Sequence, residues 1–105
     1  MQDFWEFPGG KIMQGESSAD ALCRELNEEL GIRVTVFDSF LNLQHDYPHI
    51  QVDLEFFLVS EWQGKPFGVE RQELQWVSVD ELGECKLLPA DMPLVDALRR
   101  RKKNL

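Results

Sequence analysis

The segment from Ser17 to Gly31 constrains this chain more than any other. Ser17 or Ser18 can cap a helix, because a hydroxyl accepts a bond from an orphan amide of the first turn. Gly31 can stop it, because glycine enters the left-handed conformation without steric penalty. At 100° per residue, Ala19, Leu22, Cys23, Leu26 and Leu30 fall on one apolar stripe. Glu25, Glu28 and Glu29 fall on a separate acidic stripe at i, i+3 and i+4. The pattern predicts a helix over residues 18–30. Like charges at this spacing weaken an isolated helix by about 0.2–0.5 kcal/mol per pair, and Arg24, four residues before Glu28, offsets part of that. On the helix alone, a solvated acidic face is the simpler explanation. The sharper one is a site for a hard divalent cation, which takes oxygen ligands.

The remainder reads as strands followed by a short and a longer helix. Residues 1–16 hold Pro8, Gly9, Gly10, Gly15 and several aromatics, and suit a strand end and a loop. Arg33–Phe40 is a strand candidate, with Leu41–Asp46 continuing it or pairing with the next. Ile50–Ser60 is a strand that alternates at Ile50, Val52 and Leu54. Gln63-Gly64-Lys65-Pro66 is a turn, Leu74–Val79 a short strand, and Val79–Leu82 a brief helical turn. Pro93 opens a last helix running to about Lys102, at a position where proline lacks no needed amide. Strands interleaved with helices indicate an α/β chain, read as one domain over residues 1–105. Trp62 and Trp76 flank strands and are expected in the core.

Charge and composition narrow the function classes. The formal net charge of −8 repels phosphate backbones and argues against a nucleic-acid polymer as partner. The basic run Arg99–Lys103 is expected to be a solvated helix end, where cations suit the dipole. No apolar run is long enough to span a bilayer, so no membrane partner is expected. Cys23 and Cys85 lack metal-type spacing, and a cytoplasmic chain with two free thiols is expected, Cys23 lying on the apolar helical face. His45 and His49 also lack a ligand-type partner spacing and read as surface or loop residues.

A longer spacing decides between the two explanations of the acidic stripe. From Gly10 there are five residues to Glu16, then seven to Arg24, followed by Glu25-Leu26-Asn27-Glu28-Glu29-Leu30-Gly31-Ile32. This resembles the Nudix box at every specified position, and chance agreement at one start is on the order of one in a billion. Trp5-Glu6-Phe7-Pro8-Gly9-Gly10-Lys11, His45-Asp46-Tyr47-Pro48, Trp62–Glu70 and Leu88–Leu94 resemble further segments of the MutT-type branch. The resemblance implies a Nudix-type α/β/α sandwich with a mixed sheet. It implies hydrolysis of a nucleoside triphosphate to the monophosphate and pyrophosphate, dependent on Mg²⁺ or Mn²⁺.

Carried over residue by residue, the resemblance makes Glu25, Glu28, Glu29 and the Gly9 carbonyl metal ligands. Glu70 becomes a further ligand or the base, and Arg24 orients a catalytic glutamate. Glu16 braces the loop against the helix, with Gly10 and Gly31 as structural positions of the box. Lys11 points toward the phosphates, and Phe7, Tyr47 and Asp91 belong with the base pocket. The chemistry is coherent: cations polarise the phosphoryl oxygens and acidify the attacking water, and a carboxylate removes its proton.

Two departures from the family pattern matter. Asp91 stands where members that cleave 8-oxo-dGTP commonly have asparagine; an ionised aspartate only accepts hydrogen bonds. Oxidised purine deoxynucleotides, cleared from the nucleotide pool, are the leading substrate expectation, with a cytidine triphosphate as alternative. The second departure is that Met1 lies almost on the Trp5–Lys11 segment, where the family usually has two earlier strands. The expectations that follow are a homodimer completing the sheet or, as a separate class, a catalytically inactive Nudix-like binding or sensor module.

Overall fold

The structure, a computed structural model, describes residues 4–103. In chain order the elements are α1 (Ser18–Leu30), β1 (Arg33–Tyr47), β2 (Ile50–Gln63), α2 (Val79–Leu82), a 3₁₀ turn (Pro89–Asp91) and α3 (Met92–Lys103).

Local chemistry accounts for both ends of α1. Ser17 is extended, and its Oγ accepts the Asp20 amide at 3.1 Å. Gly31 is left-handed at φ 67°, and its amide donates to the Asn27 carbonyl at 3.0 Å. Leu26 of the apolar stripe is buried; so are Ala21, which lies off that stripe, and Ile32 just beyond the helix. Cys23 on that stripe is half-buried and free.

β1 and β2 pair as a hairpin through the two-residue turn Pro48-His49. The two predicted segments 33–40 and 41–46 thus form one strand. Phe37 and Phe57 meet edge to face across it, with centroids 5.8 Å apart. The α/β class holds: helices with an antiparallel strand pair, plus an isolated parallel bridge between Trp5 and Leu87.

The chain falls into two compact units. One comprises Phe7–Phe40 and Phe57–Leu74, and holds α1, the loops on either side of the box, and the buried Ala21, Leu26 and Ile32. The other comprises the segment up to Glu6, Leu41–Phe56 and everything from Gln75 onward. Its buried residues are Leu82, Leu94 and Val95, the last with no exposed surface. Ser78 and Glu81 form a reciprocal capping box at the start of α2. Lys102 near the end of α3 reaches Asp80 at 2.6 Å.

Two expectations require correction. Leu74–Val79 is not a strand: residues 72–78 have no regular structure, and Val79 already belongs to α2. A short apolar-rich stretch does not make a strand without a neighbouring strand to bond to. Trp76 is 76% exposed and Trp62 37%, so neither is a core residue. Among the described residues no helix is long and apolar enough to cross a membrane.

Candidate active site

The residues of the box converge on Arg24, one turn before the end of the acidic stripe. Its Nε and Nη2 donate to the two carboxylate oxygens of Glu16, at 2.7 and 3.1 Å. Nη1 donates to Glu25 at 2.8 Å and to Glu28 at 3.2 Å. Nη2 also donates to the Lys11 carbonyl at 2.9 Å. Only a guanidinium carries enough planar donors to serve three carboxylates and a backbone carbonyl at once. This surplus of acceptors holds the Arg24 proton more tightly than usual, Glu16 contributing most.

Glu16 is tied to the loop as well as to the helix. Its Oε1 accepts the Met13 amide at 2.9 Å, and its own amide donates to the Met13 carbonyl at 3.0 Å. Gly15, at φ 80°, permits the tight turn between them. Bonding to Arg24, and then to Met13, pulls the Glu16 carboxyl below its ordinary value.

The two glycines of the loop serve different ends, Gly10 a close approach and Gly9 a positive φ. A Cβ on Gly10 would lie 2.5 Å from the Glu25 carboxylate and would push that side chain aside. Gly9, at φ 148°, directs its amide to Glu29 Oε2 at 3.1 Å. Glu29 is half-buried, and burial raises its carboxyl above the usual range. The Gly9 bond opposes that shift, while the charges of Glu25, Glu70 and Glu28 reinforce it. Four carboxylates therefore share one field.

Glu70 comes from a loop that docks on the C-terminal end of α1. The Val69 and Phe67 amides donate to the carbonyls of Glu29 and Leu30, both at 3.1 Å. These carbonyls have no partner within the helix, so the loop takes the place of a further turn. Gly68–Arg71 is a tight turn closed by the Arg71 amide on the Gly68 carbonyl at 2.9 Å. The Glu70 amide donates to the side-chain oxygen of Gln72, whose Nε2 donates to the Glu29 carbonyl, both at 2.9 Å. Nothing in the local sequence pattern marks Gln72.

Of the remaining candidates, Phe7 is half-buried and Lys11 exposed, both in the unit that carries the box. Tyr47 and Asp91 lie in the other unit. Tyr47 is 47% exposed and meets His45 edge to face at 4.5 Å. Asp91 ends the 3₁₀ turn; burial, and then the charge of Glu6, raises its carboxyl.

The donor chemistry suits a hard divalent cation: oxygen ligands only, with Glu29 raised by burial and then by the neighbouring carboxylates. As the side chains stand, no three His, Cys, Asp or Glu groups among the described residues close around a single point. Arg24 draws Glu25 and Glu28 to itself, and the Gly9 amide engages Glu29.

Known proteins resemble this chain along most of its length. The chain is 41% identical over 95 residues to the 8-oxo-dGTP diphosphatase of Escherichia coli, covering 90% of this chain and 74% of that protein. It is 40% identical over 93 residues to the CTP pyrophosphohydrolase of the same organism, covering 89% of this chain and 69% of that one. A solved structure from work on MutT of Aliivibrio salmonicida and Vibrio cholerae matches with a TM-score of 0.82 and 41% identity. That match covers 89% of this chain and 76% of the other. The family described as NUDIX domain matches residues 1–97. The match over residues 1–97, with the two relatives above, places this chain, whose box residues converge on Arg24, in the Nudix domain family.

Proposed function

We propose that the chain hydrolyses a nucleoside triphosphate to the monophosphate and pyrophosphate with a divalent cation, Mg²⁺ or Mn²⁺. The observation that carries this reading is the shared field of Glu25, Glu28, Glu29 and Glu70 around one end of α1. The cation would be held by those carboxylates and the Gly9 carbonyl, and when bound it supplies charge neutralisation at the phosphates and a more acidic water. To hold it, Glu25 and Glu28 would give up bonds to Arg24, and Glu29 its bond to the Gly9 amide. Arg24 and Glu16 hold the helix face and the loop in register. Lys11, exposed beside the loop, meets phosphate oxygens, and one of the glutamates accepts the proton of the attacking water.

The leading substrate class is an oxidised purine deoxynucleotide such as 8-oxo-dGTP, and Asp91 bears on it. Burial and Glu6 favour its protonated form, and a neutral carboxyl donates as well as accepts, as the amide of an asparagine does. A cytidine triphosphate is the second reading, supported by the 40% identity to a protein named for CTP. Asp91→Asn separates them. On the leading reading the variant keeps oxidised-purine turnover and loses the decline that the wild type shows as pH rises and Asp91 ionises. Retained cytidine turnover with no oxidised-purine activity in the wild type would select the second reading.

The deciding assay is pyrophosphate release from canonical and oxidised triphosphates, with and without Mg²⁺, for the wild type and Glu29→Gln. Metal-dependent release that falls by about 10²-fold or more in the variant is the expected outcome. A folded wild type that binds Mg²⁺ and releases nothing would instead support a binding or sensor module.

A further inference from the structure

We infer that Gln72 is a positioning residue that fixes Glu70 against the box helix through its side-chain amide. The inference rests on the proposed hydrolase reading, in which Glu70 acts as ligand or base. Gln72 uses both ends of one planar group: the oxygen accepts the Glu70 amide, and the nitrogen donates to the carbonyl of Glu29, each at 2.9 Å. The residue that presents Glu70 and the residue that presents Glu29 are therefore joined through a single side chain.

The surrounding turn is shaped for this bridge. A Cβ at Gly68 would run into the Gln72 carbonyl and lie 3.1 Å from the Gln72 side-chain oxygen, so glycine is required for the close return of the chain. Arg71 is the one described residue other than glycine with a positive φ, at 65°. That conformation is disfavoured for a residue with a Cβ, and here it carries the chain from Glu70 back to Gln72. The Val69 amide shares the Glu29 carbonyl with Gln72, so this acceptor binds the turn at two points. With the loop pinned, the Glu70 backbone keeps a fixed distance from the helix backbone while its carboxylate stays free to turn. Displacement of a reacting group by about 1 Å costs on the order of 10²-fold in rate.

Two variants test this. Gln72→Met keeps the length of the side chain and removes both bonds. Gln72→Glu keeps the oxygen facing Glu70 and removes the donor to Glu29. On metal-free protein, hydrogen exchange followed by NMR should show the Glu70 amide exchanging faster in Gln72→Met and near the wild-type rate in Gln72→Glu. With Mg²⁺ and the best triphosphate, Gln72→Met should lower kcat by about tenfold or more with KM nearly unchanged, while the melting temperature stays close to wild type. Glu70 exchange that is unchanged in Gln72→Met overturns the proposal. So does an unchanged kcat, or a kcat loss that only tracks a lost melting transition. If the wild type hydrolyses no triphosphate, the functional reading fails by itself. The exchange measurement then decides the bridge alone: faster exchange sustains it and unchanged exchange overturns it.

Discussion

At the scale of the residue, Arg24 is the hub, and its neighbour Glu16 gives a pH signature. The Glu16 carboxyl lies below its ordinary value because the charged form is bonded to Arg24 and to the Met13 amide. A depressed carboxylate contributes stability above its unfolded value, about 4.5, and that stability is lost as pH falls through the folded value. Thermal melts below pH about 4.5 should therefore fall more steeply for the wild type than for Glu16→Gln. Equal slopes would show that the Glu16–Arg24 pair does not persist in solution. Glu29 has the opposite sign. Its carboxyl is raised, so the folded state is penalised as pH climbs from the unfolded value through the folded one. Glu29→Gln should thus melt higher than the wild type at neutral pH without metal, even as it abolishes turnover. A lower midpoint would mean that the Gly9 bond outweighs burial and repulsion.

At the scale of the element, α1 was readable from sequence because its determinants are local. Cap, stop and both stripes lie within fifteen consecutive positions, Ser17 to Gly31. The expected strand at Leu74–Val79 failed because a strand is completed by a partner elsewhere in the chain, which the apolar residues Leu74, Trp76, Val77 and Val79 cannot supply. The same limit hid Gln72, whose bond to Glu29 spans 43 positions. The two helix ends give a ranked prediction. Ser17→Ala removes one capping bond, worth about 1 kcal/mol. Gly31→Ala must adopt a left-handed conformation costing about 1–2 kcal/mol. It also drives a methyl group into the Phe67 ring, whose Cζ would lie 3.0 Å away. Denaturant melts should find Gly31→Ala the more destabilised of the two. The reverse order would indicate that the loop carrying Phe67 moves aside without cost.

At the scale of the whole molecule, the dominant property is a net charge of −8 with four carboxylates in one field. The motif spacing made the membership and the cast of candidate residues visible. It did not show how those residues are held, because the Arg24 fan and the loop on the end of α1 depend on folded geometry. Divalent cations should raise the melting temperature, by about 2.7 kcal/mol of stabilisation at a hundredfold excess over Kd. Sodium chloride at equal ionic strength should reproduce little of this, and Glu29→Gln should show a reduced gain. An equal gain from sodium chloride would attribute the effect to general screening.

The hairpin has a further consequence, for inheritance. β1 and β2 each belong partly to one compact unit and partly to the other. Neither unit is therefore a continuous stretch of gene. Recombination between relatives cannot exchange the half bearing Gly9, Arg24 and Glu70 for another in a single crossover, since Leu41–Phe56 interrupts it. A shuffled library with one junction inside residues 41–56 would split both units between parents. Intact inheritance of either unit needs paired junctions near Phe40 and Phe57, with further breaks near Glu6 and Leu74. New properties in such a chain are more readily reached by point substitution than by trading modules.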